Sequence, residues 1–179
     1  MSRSKAAVKT APVAAPHPHQ PFAYGDVSPL RAAQQVQEPS AIYLARLDPQ
    51  ARIDLIRQGI PAATIGHLCV RMGMSKETLL ASLGLPRATI SRKEKDATTL
   101  SKDESERVLG FETLIDLVQT MVDESGDPNG FNAPHWLAGW ITKPLPALGG
   151  ATPASYMDTF EGQRLVASML AMTQSGAYA

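Results

Sequence analysis

The strongest constraint on this chain is a capping box, Ser101-Lys-Asp-Glu104, followed by apolar residues at helical spacing. Val108, Phe111, Ile115, Val118 and Val122 recur every three or four positions, flanked by Leu114, Leu117 and Met121. This predicts one long helix over about residues 102–124. A stripe that wide must be covered by other elements, so the rest of the chain has to supply partners for it. What surrounds it reads as short helices. Asp48-Pro49 is an N-cap and N1 pair opening a helix with Ala51, Ile53, Leu55 and Ile56. Pro61 opens another, with Ile65, Leu68 and Met72, and Gly73 as its stop. Ser75 caps a third, carrying Leu79, Leu80 and Leu83, and Pro86 starts a fourth that runs to about Lys95. Beyond the Asp127-Pro-Asn-Gly130 loop, residues 133–142 read as helix around Trp136, Leu137, Trp140 and Ile141. Lys143 to Gly150 cannot be a helix, and Thr152-Pro153 caps a short one. A final helix over about 161–174 is expected to turn Leu165, Val166, Met169 and Leu170 inward. Nothing alternates like a strand and nothing repeats. The expected class is all-α.

Six of the 14 prolines fall within residues 1–39, among Ala, Ser, Gln and His. Such a stretch cannot bury a core, so residues 1–40 read as a disordered tail. Its His17 and His19 lack further ligands. The remainder divides into 41–124, containing the short helices and the long one, and 125–179. The formal charge is zero, but it is unevenly spread. Residues 1–39 have a surplus of two positive charges and residues 40–100 of four, while residues 101–179 carry ten acidic against four basic side chains. A basic middle and an acidic end suggest two surfaces with different partners. One cysteine rules out a disulfide framework, and no apolar run is long enough for a bilayer span. No secretory signal is present, so a cytoplasmic protein is expected.

Residues 76–95, KETLLASLGLPRATISRKEK, have the proportions of a helix-turn-helix. Leu79, Leu83, Leu85 and Ile90 fill its apolar slots and Gly84 its turn, while Leu80 and Lys93 disagree with the usual pattern. The second helix would then enter a major groove. Its candidate DNA contacts are Arg87, Thr89, Ser91, Arg92, Lys93 and Lys95, with Arg71 and Lys93 aimed at phosphates. An ordinary three-helix pack with a solvated basic face has the same pattern.

Catalytic signatures are missing. There is no phosphate loop and no dinucleotide fingerprint. His67 and Cys69 are two apart on a helix and point to different faces, which makes Cys69 a buried thiol rather than a nucleophile. His135 has no acid partner in the sequence. Glu104, Glu106, Glu112 and Asp116 read as the solvated face of the long helix rather than a metal site. No catalytic residue, metal site or cofactor is expected, and the chain is not read as an enzyme.

From residue 131 on, an ordered set of motifs stands out: Ala133-x-x-Trp136-Leu137, Pro144 through Leu148-Gly149-Gly150 and Pro153, Thr159 to Gly162, Val166, Leu170, and Gly176 to Tyr178. With the helix-turn-helix and the Leu100-Ser-x-x-Glu-Ser105 start of the long helix, this pattern resembles the antitoxins of the Xre/MbcA/ParS group over about residues 60–179. The resemblance implies a helix-turn-helix domain followed by a small helical toxin-binding domain. It implies a cognate RES-domain toxin, which consumes or transfers parts of NAD and whose active site the antitoxin blocks. It also implies repression of the operon's own promoter DNA, and a homodimer. Its toxin-binding candidates here are Trp136, Gly149, Gly150, Arg164, Gly176 and Tyr178. By themselves Trp136 reads rather as core, and the two glycines as shapers of a reversal. The rival reading is a free-standing helix-turn-helix regulator whose C-terminal half only dimerises.

Overall fold

The structure, a computed structural model, describes residues 47–126 and 128–174, and of Gln174 the backbone alone. The proline-rich stretch 1–40 and the Gly176–Tyr178 motif lie outside the described residues. Seven α-helices are described: α1 (Pro49–Gln58), α2 (Thr64–Met72), α3 (Lys76–Ser82), α4 (Arg87–Lys95), α5 (Lys102–Ser125), α6 (Ala133–Ile141) and α7 (Phe160–Gln174). Two 3₁₀ turns, Pro146–Leu148 and Pro153–Tyr156, lie between α6 and α7. The first of them falls inside the segment expected to be free of helix. Among the described residues there is no strand, only an isolated antiparallel bridge between Pro61 and Thr99.

Local chemistry sets the helix starts. The Asp48 carboxylate accepts from the N–H groups of Gln50 (3.0 Å) and Ala51 (3.1 Å). Ser75 Oγ accepts from Thr78 N, and Asn132 Oδ1 from His135 N. The capping box of α5 is complete: Ser101 Oγ accepts from Glu104 N, and Glu104 Oε2 accepts from Ser101 N at 2.6 Å. Each cap satisfies N–H groups that the first turn leaves orphaned.

The long helix is the hub. Helices α1, α6 and α7 pack on it, α2 packs on α6, and α3 on the 153–156 turn. Val108, Phe111, Leu114, Ile115 and Val118 are buried beneath Leu55, Leu68, Leu137, Val166 and Leu170 in one continuous cluster. Val122 and Met121, near the end of the stripe, are half-buried. On α7 the inward face is Val166, Met169 and Leu170; Leu165, expected inward, is instead exposed along with Phe160. The reason is Gln163. At Gly110 of α5 an added Cβ would come within 1.7 Å of the Gln163 amide, so the glycine lets a polar side chain enter the core. There its Nε2 donates to the carbonyls of Arg107 (3.0 Å) and Met157 (2.9 Å). That register turns Leu165, two residues on, outward.

Candidate functional site

Helix α4 is amphipathic in a particular way. Ile90 is fully buried, while Arg87, Ala88, Ser91, Arg92 and Lys95 are exposed. Ser91, Arg92 and Lys95 share the face opposite Ile90, as their spacing requires. Thr89 is half-buried. Arg87 stands 3.9 Å from Glu77 of α3, both largely exposed, so this pair adds little stability. The turn before α4 bends at Gly84, whose φ is 60°. Arg107 of α5 grips this turn, donating from Nη1 to the carbonyls of Leu83 (2.9 Å) and Gly84 (3.1 Å). A helix, a turn held from outside and a second helix with an exposed basic face can lie along a nucleic-acid groove.

Two basic residues expected at phosphates are turned inward. Arg71 Nη1 donates to both carboxylate oxygens of Glu112, at 2.9 and 3.1 Å, across the contact between α2 and α5. Lys93 is joined to Glu104, and its neighbour Glu94 to Lys76 of α3. These pairs correct the reading of a solvated acidic face on α5, because Glu112 is 1% exposed and Glu104 9%. Burial raises the Glu112 carboxyl above its ordinary 4.5, and Arg71 offsets only part of that. Burial acts the same way on Glu104, but hydrogen bonds from Lys93 and Ser101 outweigh it and hold this carboxyl below 4.5. One nitrogen of Arg71, Nη2, is buried without a hydrogen-bond partner.

The C-terminal part presents a different surface. Trp136 and Trp140, one turn apart on α6, stack with ring centroids 6.3 Å apart and planes 12° from parallel. Phe131 leans on Trp136 at 6.2 Å. Trp136 is 40% exposed, so it is not a closed core residue. On one side of this ridge lies an open cleft of ≈ 260 Å³ lined by Val118, Met121, Val122, Phe131, Trp136 and Leu170. On the other lies one of ≈ 300 Å³ between Trp140, the Leu145–Ala147 turn and Met169. Thr173, near the end of α7, borders both.

The other expected contacts are placed apart from this ridge. Gly149 (φ 62°) and Gly150 (φ 88°) close a tight loop in which Gly150 N donates to Leu145 O and Leu145 N to Ala151 O, each at 3.0 Å. Nothing lies within 4 Å of where their Cβ atoms would be, so the loop surface is open. Arg164 is exposed beside Glu161 on the outer face of α7. It borders a separate cleft with Tyr156, Thr159 and Leu165. Leu137, Val166 and Leu170 are buried, and Leu148 is half-buried.

Among the described residues no three of His, Cys, Asp and Glu come together as metal ligands. Cys69 is half-buried rather than enclosed, and burial raises its thiol pKa, which leaves little thiolate. His67 is exposed and His135 lies against the Gly73 turn. No helix among the described residues is long and apolar enough to cross a membrane. Sequence reasoning missed Trp140 and Phe131 as parts of the ridge, although the four-residue spacing of the tryptophans signals a shared face.

Two family models match in sequence. Residues 51–111 match the antitoxin Xre-like helix-turn-helix domain, and residues 130–176 the antitoxin Xre/MbcA/ParS C-terminal toxin-binding domain. A protein named Prs ADP-ribosylating antitoxin, from Sphingobium sp. (strain YBL2), is 40% identical over 151 residues, covering 83% of this chain and 95% of the relative. Antitoxin Xre of Yersinia enterocolitica serotype O:8 / biotype 1B (strain NCTC 13174 / 8081) is 23% identical over 126 residues, covering 70% and 80%. The matched regions contain the basic helix α4 and the aromatic ridge on α6 respectively, and with them the chain belongs to the Xre/MbcA/ParS family of antitoxins.

Proposed function

We propose that this antitoxin silences a RES-type toxin that consumes NAD or transfers its ADP-ribose, and that it represses its own operon. The observation that carries the first half is the Trp136–Trp140 ridge between two open apolar clefts. Half-exposed stacked aromatics of this kind form the centre of protein–protein interfaces, where they contribute most of the binding energy. The name of the Sphingobium relative supports an ADP-ribosylating target. Acidic side chains in the C-terminal part suit a toxin cleft built for the phosphates of NAD. Gly149, Gly150 and Arg164 lie on the open surface of the same part and extend the proposed contact. Gly176 and Tyr178 are proposed to enter the toxin's active site, on the strength of the resemblance.

The second half rests on the exposed face of α4, where Arg87, Ser91, Arg92 and Lys95 meet promoter DNA and Thr89 lies at its edge. We take the protein to work by binding alone, in the cytoplasm, as a homodimer on its operator. The test is to tag the chain at its native locus and identify what co-purifies in stoichiometric amount. A neighbouring-gene product that arrests growth when expressed alone, and lowers cellular NAD or ADP-ribosylates a protein, is expected. Recovery of the chain by itself contradicts toxin binding and leaves a self-associating regulator. Removing residues 175–179 should impair neutralisation more than folding; a truncated chain that still silences the toxin fully contradicts the role given to Gly176 and Tyr178.

A further inference from the structure

Polar contacts at three places hold α4 against the rest of the fold, and none of them involves Ser91, Arg92 or Lys95. At its start, Arg107 holds the Leu83 and Gly84 carbonyls. On its inner side, Lys93 and Glu94 follow Ile90 by three and four residues and so flank it on the buried face. Lys93 reaches forward to Glu104 of α5, and Glu94 back to Lys76 of α3. The two adjacent residues thus anchor the helix to elements on either side of it. At its end, the Lys93 carbonyl accepts from Thr98 N at 2.9 Å, and Thr98 O in turn accepts from Ala62 N at 3.0 Å.

The Lys93 side chain is 21% exposed and that of Glu104 12%. Glu104 is also the residue whose carboxylate completes the capping box of α5. A phosphate that drew Lys93 outward would leave this largely buried carboxylate without its counter-charge, which is unfavourable. Arg92 and Lys95, by contrast, are exposed, and neither is joined to a carboxylate among the described residues. Lys93 also occupies the last apolar slot of the usual helix-turn-helix pattern, and the ion pair explains how a lysine fits there: its stem packs inward and its ammonium meets a carboxylate.

We propose that Lys93 is a positioning residue: its ion pair with Glu104 sets the angle at which α4 presents Ser91, Arg92 and Lys95 to DNA, and its ammonium touches no phosphate. The inference rests on the DNA-binding reading above.

The experiment is a double-mutant cycle on the full chain with Lys93→Met, Glu104→Gln and the pair together. Each is titrated against a labelled duplex carrying the DNA immediately upstream of its own operon, and against a scrambled duplex, between about 50 and 200 mM salt. All measurements are made well below each variant's melting temperature. Positioning predicts that each single variant binds the upstream duplex about tenfold more weakly and that the double variant is no worse than the poorer single one. Binding to the scrambled duplex and the salt slope stay unchanged, which a merely destabilised chain or a lost phosphate contact would not give together. A phosphate contact predicts instead a slope smaller by about 0.9 for Lys93→Met. It also predicts tighter binding for Glu104→Gln, because a negative charge has been removed near DNA; either result overturns the proposal. If Lys93→Met does not fold, the sign of the Glu104→Gln effect decides alone. A wild-type chain that shows no preference for the upstream duplex overturns the DNA-binding reading itself, and the inference with it.

Discussion

The two halves of this antitoxin treat charge and apolar surface in opposite ways. From α2 to the start of α5, charged side chains turn inward and link helices: Arg71 with Glu112, Lys76 with Glu94, Lys93 with Glu104. From residue 128 on, the one ion pair between side chains among the described residues is Arg164 with Glu161, on the surface of a single helix. There several apolar side chains turn outward, Trp136, Phe160, Leu165 and Met172, against the single Val70 between α2 and the start of α5. Ion pairs between helices fix angles, as the reading of a regular groove demands. Exposed aromatic and aliphatic surface awaits a partner that will cover it. The comparison teaches that one half ties its helices together with charge, as the proposed DNA contact requires, while the other leaves apolar surface open for the proposed toxin.

The largest effect is expected where the inward charges are most buried. Arg71→Ala leaves the Glu112 carboxylate without its partner and should cost about 3 kcal/mol in urea unfolding. Adding Glu112→Leu should recover much of that loss. If Arg71→Ala is silent, the buried pair does not organise the first half. Trp136→Ala should weaken toxin binding by about 2 kcal/mol, roughly thirtyfold by calorimetry. Its stability should change by no more than the stacking on Trp140, under about 1.5 kcal/mol. A stability loss without a binding loss would move Trp136 from the interface to the core.

The smallest effect concerns pH. Glu112 has a raised pKa in the fold, so the native state holds its proton to higher pH than the unfolded chain. Its contribution to stability is therefore greatest below about 4.5 and is lost as pH rises through the raised value. The stability of wild type relative to Glu112→Gln should accordingly fall as pH rises from 4.5 toward neutrality. A rise over that range contradicts the assignment of burial as the dominant influence.

Much of the helical order was legible because caps are local. Asp48, Ser75 and Ser101 each cap within three residues, so a short window of sequence contains the whole interaction. The stripe on α5 was legible for the same reason. What escaped notice was long-range. Arg71 and Glu112 are 41 residues apart, and nothing local marks either as buried. Gly110 was the one available sign that a foreign group enters the core beside α5, and its occupant, Gln163, lies in another helix. Leu165 was misplaced because its expected direction followed the apolar count on α7, whereas Gln163 sets the register. On the candidate sites, the exposed face of α4 followed from periodicity alone. The ridge did not, because whether a tryptophan is covered depends on what packs over it.

The claim that the two halves do separable work is tested most directly by one crossed measurement. Arg92→Ala with Lys95→Ala, and separately Trp136→Ala with Trp140→Ala, are each assayed for promoter binding by mobility shift and for rescue of growth from the co-expressed toxin. The account predicts that the first pair loses promoter binding and keeps rescue, and that the second pair loses rescue and keeps promoter binding. Loss of both activities in both pairs, in chains that remain folded, would contradict it.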